Sequence, residues 1–164
     1  MTVALPFRRV AVVGLGRSGA AAARLLAAMG LDVRVTEAGR SPTLAAAAAE
    51  LEALGVSVEL GGHSAGVAGW AEALVVSPGV PPANPLVAAA LRRGVPVWSE
   101  VELAWWQATV PVLAVTGTNG KTTTTSLLAT LLQAGGIDAV AAGNIGYPLV
   151  DAVRGRAEVI VCEV

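Results

Sequence analysis

Val112-Leu113-Ala114-Val115-Thr116-Gly117-Thr118-Asn119-Gly120-Lys121-Thr122-Thr123 reads as a short apolar strand, a glycine-containing turn and the start of a helix at Lys121. Such a turn converges backbone N–H groups on one point, and the helix that follows adds roughly +0.5 of an elementary charge at its amino end. Lys121 contributes a full positive charge, and the Thr122 hydroxyl is of the type that meets a Mg²⁺ held between phosphates. The usual phosphate-loop pattern puts its first glycine where this chain has Val115, and the nearest glycine is Gly117, so the loop is a shortened variant. A strand, this loop and then a helix make an α/β unit in which Gly117, Thr118, Asn119, Gly120, Lys121, Thr122 and Thr123 are the candidate nucleotide-phosphate residues.

Outward from that stretch, the whole chain is 164 residues, enough for one ordinary domain or two small ones. It is 54% hydrophobic and 14% charged, with a net charge of −1, which provides no electrostatic pull toward nucleic acid or an anionic membrane surface. No uninterrupted apolar run approaches the ~18 residues that suggest a membrane span. No secretory leader precedes the first apolar strand, and the single cysteine, Cys162, has no partner for an internal disulfide. These features predict a soluble cytoplasmic protein, with Cys162 as a buried structural thiol in an apolar strand.

Strands alternate with helices along the chain. Val10–Val13 is the first predicted strand, and Gly14-Leu15-Gly16-Arg17-Ser18-Gly19 leads into an alanine-rich helix closed by Gly30. Val33–Thr36 is the second strand, followed by Glu37. A helix opens at Pro42, a strand covers Val56–Leu60, and Gly61–Gly66 is read as loop. Ala73–Val76 is the fourth strand, ending in the stiff loop Ser77-Pro78-Gly79-Val80-Pro81-Pro82. Asn84 caps a helix with Pro85 in its first position, a favoured place for proline. Val95–Trp98 is a fifth strand. Nearly continuous apolar strands separated by helices predict a parallel sheet covered on both faces. The first strand, its turn and its helix match G-x-G-x-x-G, with acidic Glu37 at the end of the next strand. That points to a nucleotide or diphosphate site.

Ser99 and Glu102 form a possible capping box for a short helix bearing Trp105 and Trp106, a pair expected to pack in a core or between domains. Beyond the phosphate loop, a helix to about Ala134, a strand at Asp138–Ala142, the turn Gly143-Asn144-Ile145-Gly146 and a last strand at Glu158–Val164 complete the reading. Glu163 is placed to supply a second Mg²⁺ contact, as acidic strand ends do in phosphate-loop proteins. A chain stopping in such a strand reads as cut, with Glu158–Val164 as an association-prone sheet edge. The only histidine, His63, has no Cys or His companion in sequence, so a metal reading there is weak.

Taken in order, Gly14–Gly19, Ser77-Pro78-Gly79-Val80-Pro81, Trp98-Ser99-Glu100-Val101-Glu102-Leu103, Thr116–Thr123, Gly143–Gly146 and Val161–Val164 resemble the Mur ligases of peptidoglycan synthesis. The first turn and Gly-Asn-Ile-Gly favour the branch that adds D-glutamate to UDP-N-acetylmuramoyl-L-alanine. The resemblance implies a Rossmann-like, parallel-sheet UDP-binding domain over residues 1–98. The first part of a phosphate-loop α/β ATPase domain would follow over 99–164. It implies that Gly16, Arg17, Ser18, Gly19, Glu37, Ser77 and Asn144 meet the UDP substrate and that Gly117–Thr123 meet ATP. Lys121 and Glu163 would take part in catalysis, with Thr122 and Glu163 on Mg²⁺. The family's modified lysine, its histidine that binds a second Mg²⁺ and its C-terminal domain have no counterpart here, which implies that the chain does not ligate alone and lacks the D-glutamate acceptor site. A dinucleotide-binding oxidoreductase or a regulatory nucleotide-binding domain is the alternative, and it leaves Gly117–Thr122 unexplained.

Overall fold

The computed structural model describes residues 4–164. The chain folds as two compact units, Ala4–Glu100 and Val101–Val164.

The first unit holds β1 (Arg9–Val13), α1 (Arg17–Ala28), β2 (Asp32–Glu37), α2 (Pro42–Glu52), β3 (Ser57–Leu60), α3 (Gly66–Trp70), β4 (Ala73–Val76), α4 (Pro85–Arg92) and β5 (Val97–Ser99). Its five strands are all parallel, in the order β3-β2-β1-β4-β5. Chain order therefore reverses direction beside β1, which opens a crevice over the carboxyl ends of β1 and β4. The β1 residues Val10–Val13 are almost wholly buried, as the continuous apolar run requires of a central strand covered on both faces. Ala20–Ala23 of α1 are equally buried, because side chains this small let the helix axis come close to the sheet. A second part of the core joins Ala11, Val13 and Leu74 to Val67, Ala68 and Leu86. The caps form as their residue types dictate. The Ser41 hydroxyl accepts from Leu44 N–H at 3.2 Å, and Asn84 Oδ1 accepts from Leu86 N–H at 2.9 Å, each with proline in the first helical turn.

The second unit holds α5 (Glu100–Gln107), whose first residue closes the preceding unit, then β6 (Val112–Val115), α6 (Lys121–Ala134), β7 (Ala139–Gly143), α7 (Leu149–Ala152) and β8 (Val159–Glu163). The three strands are parallel in the order β6-β8-β7. Ile160, Val161 and Cys162 of β8 are buried, so the expected buried thiol is found.

Two expectations need correction, and one element was not read. The last strand is not an edge: β8 lies between β6 and β7, and its carboxyl end is further paired by Val164 N–H donating to Val115 C=O at 3.0 Å. Residues 61–65 are loop as expected, and the unassigned stretch that follows is α3, Gly66–Trp70. Its two glycines weaken the helical signal, while Val67 and Ala68 are held by burial. Trp105 and Trp106 are not core residues of this chain, being 60% and 53% exposed; the buried positions of α5 are the smaller Leu103 and Ala104.

Candidate functional site

Two clusters of candidate residues form, one in each unit, both at the carboxyl ends of parallel strands. In the first, Gly14 follows β1 with φ of 95°, and its N–H donates to Thr36 C=O at 2.8 Å. The chain then turns through Leu15 and Gly16 into α1. A Cβ on Gly14 would lie 2.9 Å from both Ser77 Cβ and Val80 Cγ2, and a Cβ on Gly19 would collide with the Gly14 carbonyl oxygen. These two glycines let α1, the β1 turn and the β4 turn interlock. Gly16 is different, with open space where its Cβ would be. It is the N-cap of α1, φ −71° and ψ −176°, and offers no side-chain cap to the helix. The first-turn amides of α1 thus face a position that Gly16 and Arg17 leave exposed and Ser18 half-covers.

Ser77 is buried, and its hydroxyl donates to Gly14 C=O at 3.1 Å while its own N–H donates to Val13 C=O. It stitches β4 to the β1 turn. Glu37 does comparable work from β2. Its Oε2 accepts from Leu15 N–H at 2.8 Å and its Oε1 from Gly39 N–H at 2.7 Å. Partial burial pushes the Glu37 carboxyl up, but these two hydrogen bonds, with His63 nearby, outweigh it and hold the group below the ordinary carboxylate value. His63, which the sequence left without a role, sits at this same strand end with Nδ1 2.9 Å from the buried Thr36 hydroxyl. Arg40, beyond Glu37, lies against Gly61, where no side chain could fit beside its guanidinium.

In the second unit, β6 ends at Val115 and Thr116–Gly120 form an exposed loop. Gly117 has φ of 151° and Gly120 φ of 76°, the left-handed conformation that favours glycine at a turn this tight. Gly120 is the N-cap of α6 and provides no side-chain cap; no acidic residue lies in the first turn. Lys121 Nζ donates back to Gly117 C=O at 3.0 Å, so the ammonium lies across the loop. Thr122 and Thr123 are exposed on the first turn.

Glu163 ends β8, directly in register with Val115 on one side and Gly143 on the other. It is only 6% exposed, and its Oε2 has no hydrogen-bond partner among the described residues. A buried carboxylate oxygen left unpaired carries a desolvation cost that a cation would offset. Asn144 N–H donates to Glu163 C=O at 3.0 Å, so the Gly143–Gly146 turn folds over this strand end. Gly143, with φ of 96°, is obligatory there because a Cβ would strike the Glu163 backbone. Asn144 therefore belongs with Glu163 in the second unit, whereas Gly16, Arg17, Ser18, Gly19, Glu37 and Ser77 gather in the first. Among the described residues no three His, Cys, Asp or Glu side chains cluster as a metal cage. A Mg²⁺ bridging phosphates needs none, since one or two protein ligands suffice.

No helix of the described residues is long and apolar enough to cross a membrane. Residues 8–99 match the family model described as Mur ligase MurD-like, N-terminal domain, and residues 115–164 match the Mur ligase middle domain. The chain is 58% identical over 145 residues to a UDP-N-acetylmuramoylalanine--D-glutamate ligase of Frankia casuarinae, covering 88% of this chain and 31% of that protein. It is 50% identical to the protein of the same name from Streptomyces avermitilis, over 91% of this chain and 32% of that one. A solved murein peptide ligase from Psychrobacter arcticus aligns with 95% of this chain and 37% of its own, at 26% identity and a TM-score of 0.58. The chain spans about a third of the length of the curated relatives it matches. With both glycine turns covered by matching models, the oxidoreductase alternative is not favoured. The chain belongs to the Mur ligase family.

Proposed function

We propose that this chain provides the UDP-substrate-binding domain and the first part of the ATP-binding domain of a cytoplasmic ligase. That ligase joins D-glutamate to UDP-N-acetylmuramoyl-L-alanine. The observation that carries the reading is the second strand-end cluster: an uncapped α6 amino end with Lys121 across its loop, following β6, whose last residue Val115 is in register with Glu163, whose Oε2 is buried and unpaired. Loop N–H groups and a cation on one side, and a carboxylate wanting a cation on the other, suit a nucleotide triphosphate carrying a divalent metal.

A carboxylate is a poor acyl donor. The reaction therefore runs by transfer of the ATP γ-phosphoryl group to the substrate carboxylate, releasing ADP, and attack of the amino group on the resulting acyl phosphate, forming the amide and releasing phosphate. The demand on the protein is to bring a phosphate and a carboxylate together without prohibitive repulsion. Lys121 meets part of it. Its hydrogen bond to Gly117 C=O holds the ammonium over the loop in advance, so little reorganisation is needed when phosphates arrive. Thr122 and Glu163 would hold Mg²⁺, which supplies further charge screening when bound. In the first unit, the exposed first turn of α1, with Gly16, Arg17 and Ser18, would receive the UDP diphosphate, Gly19 and Ser77 shaping the turn from behind. Asn144, tied by its backbone to the Glu163 strand end, would face the muramoyl part of the substrate.

Titration calorimetry of the 164-residue chain with UDP, with ATP and Mg²⁺, and with NADH tests this reading. UDP and Mg·ATP are expected to bind. Lys121→Ala is expected to weaken ATP by about tenfold or more, the loss of a charge-assisted contact, and to leave UDP unchanged. Binding of NADH without UDP would overturn the proposal.

A further inference from the structure

We propose that Glu37 is a positioning residue, a latch that sets the direction of the α1 amino end. This rests on the UDP reading of the first unit. An acidic residue ending the second strand of such a sheet is ordinarily read as an acceptor for a ribose hydroxyl. Here both oxygens already have partners within the protein. Oε2 accepts from Leu15 N–H, the first free amide of the glycine turn, and Oε1 accepts from Gly39 N–H in the turn after β2.

The geometry around the carboxylate is built for that purpose. Val13 and Thr36 are register partners and Gly14 N–H continues the ladder onto Thr36 C=O, so the Glu37 side chain starts one residue from the turn it closes. Leu15 is 3% exposed, which anchors the residue whose amide is held. On the other side, a Cβ on Gly39 would lie 3.0 Å from Leu44 Cδ1 and 3.3 Å from Glu37 Oε1, so glycine there gives the carboxylate a close approach. One side chain thus ties two consecutive strand-end turns together. Gly16, the exposed N-cap, directly follows Leu15, whose amide is latched. Freeing Leu15 would let the turn, and with it the first α1 amides, swing.

The two roles predict opposite results with a ligand that has neither ribose nor base. Inorganic pyrophosphate and UDP are titrated into the chain and into Glu37→Gln. A latch weakens both ligands by the same factor, roughly tenfold for a lost hydrogen bond to a charged acceptor. A ribose or base contact weakens UDP alone, and removing a negative charge would tighten pyrophosphate; either result overturns the proposal. Amide hydrogen exchange in the unliganded chain gives a second measurement. In Glu37→Gln, exchange at Leu15 and Gly39 is expected to speed up while Val10–Val13 stay protected. Unchanged exchange at both amides overturns the latch. If the unsubstituted chain binds neither ligand, the UDP reading and the ligand half of this proposal both fall, and exchange still decides whether the latch exists.

Discussion

Replacing Gly19 by alanine tests how the first site is built. Gly19 lies in the first turn of α1, where alanine is the better helix former by up to about 1 kcal/mol. Local propensity alone therefore predicts that Gly19→Ala stabilises the chain. The packing predicts the reverse. The added methyl would overlap the Gly14 carbonyl oxygen and lie 2.5 Å from Ser77 Oγ, and the first of these is backbone that cannot rotate away. Overpacking of this kind costs about 1–3 kcal/mol. The displaced atoms are also the two ends of the Ser77–Gly14 hydrogen bond, and leaving a buried polar group unsatisfied costs about 1–3 kcal/mol more. Against a helix gain of at most about 1 kcal/mol, the net is roughly 3 kcal/mol of destabilisation. For a unit of this size that is a fall of about 12–24 °C in midpoint. Urea and thermal unfolding followed by circular dichroism measure it. A Gly19→Ala chain as stable as the parent, or more so, would refute the reasoning that α1 and the two turns interlock through a missing side chain.

Three further outcomes follow from the same geometry. Gly16→Ser has open space and an allowed backbone, and serine caps helices slightly better than glycine; stability should hold or rise while UDP affinity falls by about tenfold, because the hydroxyl occupies the first-turn amides. Calorimetry beside a melting curve would show both effects, and unchanged UDP affinity would count against the site. Glu163→Gln removes a buried carboxylate with an unpaired oxygen, so the unfolding midpoint should be equal or higher while the Mg²⁺ dependence of ATP binding disappears. Lowered stability with Mg²⁺ dependence intact would show that the carboxylate has a structural role instead. Glu37 is held below its ordinary value of 4.5 in the folded chain, so its contribution is present above the unfolded carboxyl pKa and lost as pH falls through the folded value. The stability gap between the parent and Glu37→Gln in urea should therefore be full at neutral pH and close under acid; a gap that widens on acidification would reverse the assignment.

The strand–turn–helix units were legible because their signals are local. Val10–Val13 and Val112–Val115 are short apolar runs, and glycines follow each one before a helix. Asn84 and Pro85 announced α4 in the same way, since a cap and a first-turn proline act within one turn of chain. What was misread depended on remote neighbours. Glu158–Val164 looked like an edge because nothing in its own residues says that β6 and β7 both pair with it. Trp105 and Trp106 were expected in a core or between domains because large aromatics usually bury, and of these the core is ruled out, since on α5 the buried positions went to Leu103 and Ala104.

For the functional residues the division has the same cause. The sequence by itself determined which groups are available: two glycine turns, one lysine at a helix start, and acidic residues at strand ends. Residue type and spacing of a few positions decide those. Only the tertiary structure decided how those groups are used. It left Glu163 with a buried, unpaired oxygen, gave Glu37 two backbone donors, and turned the Ser77 hydroxyl onto Gly14 C=O. Each of these depends on groups brought together across a parallel sheet from distant parts of the chain. Strand periodicity carries no information about which strand lies beside which, and hydrogen bonds between neighbours are settled only once the sheet has chosen its order.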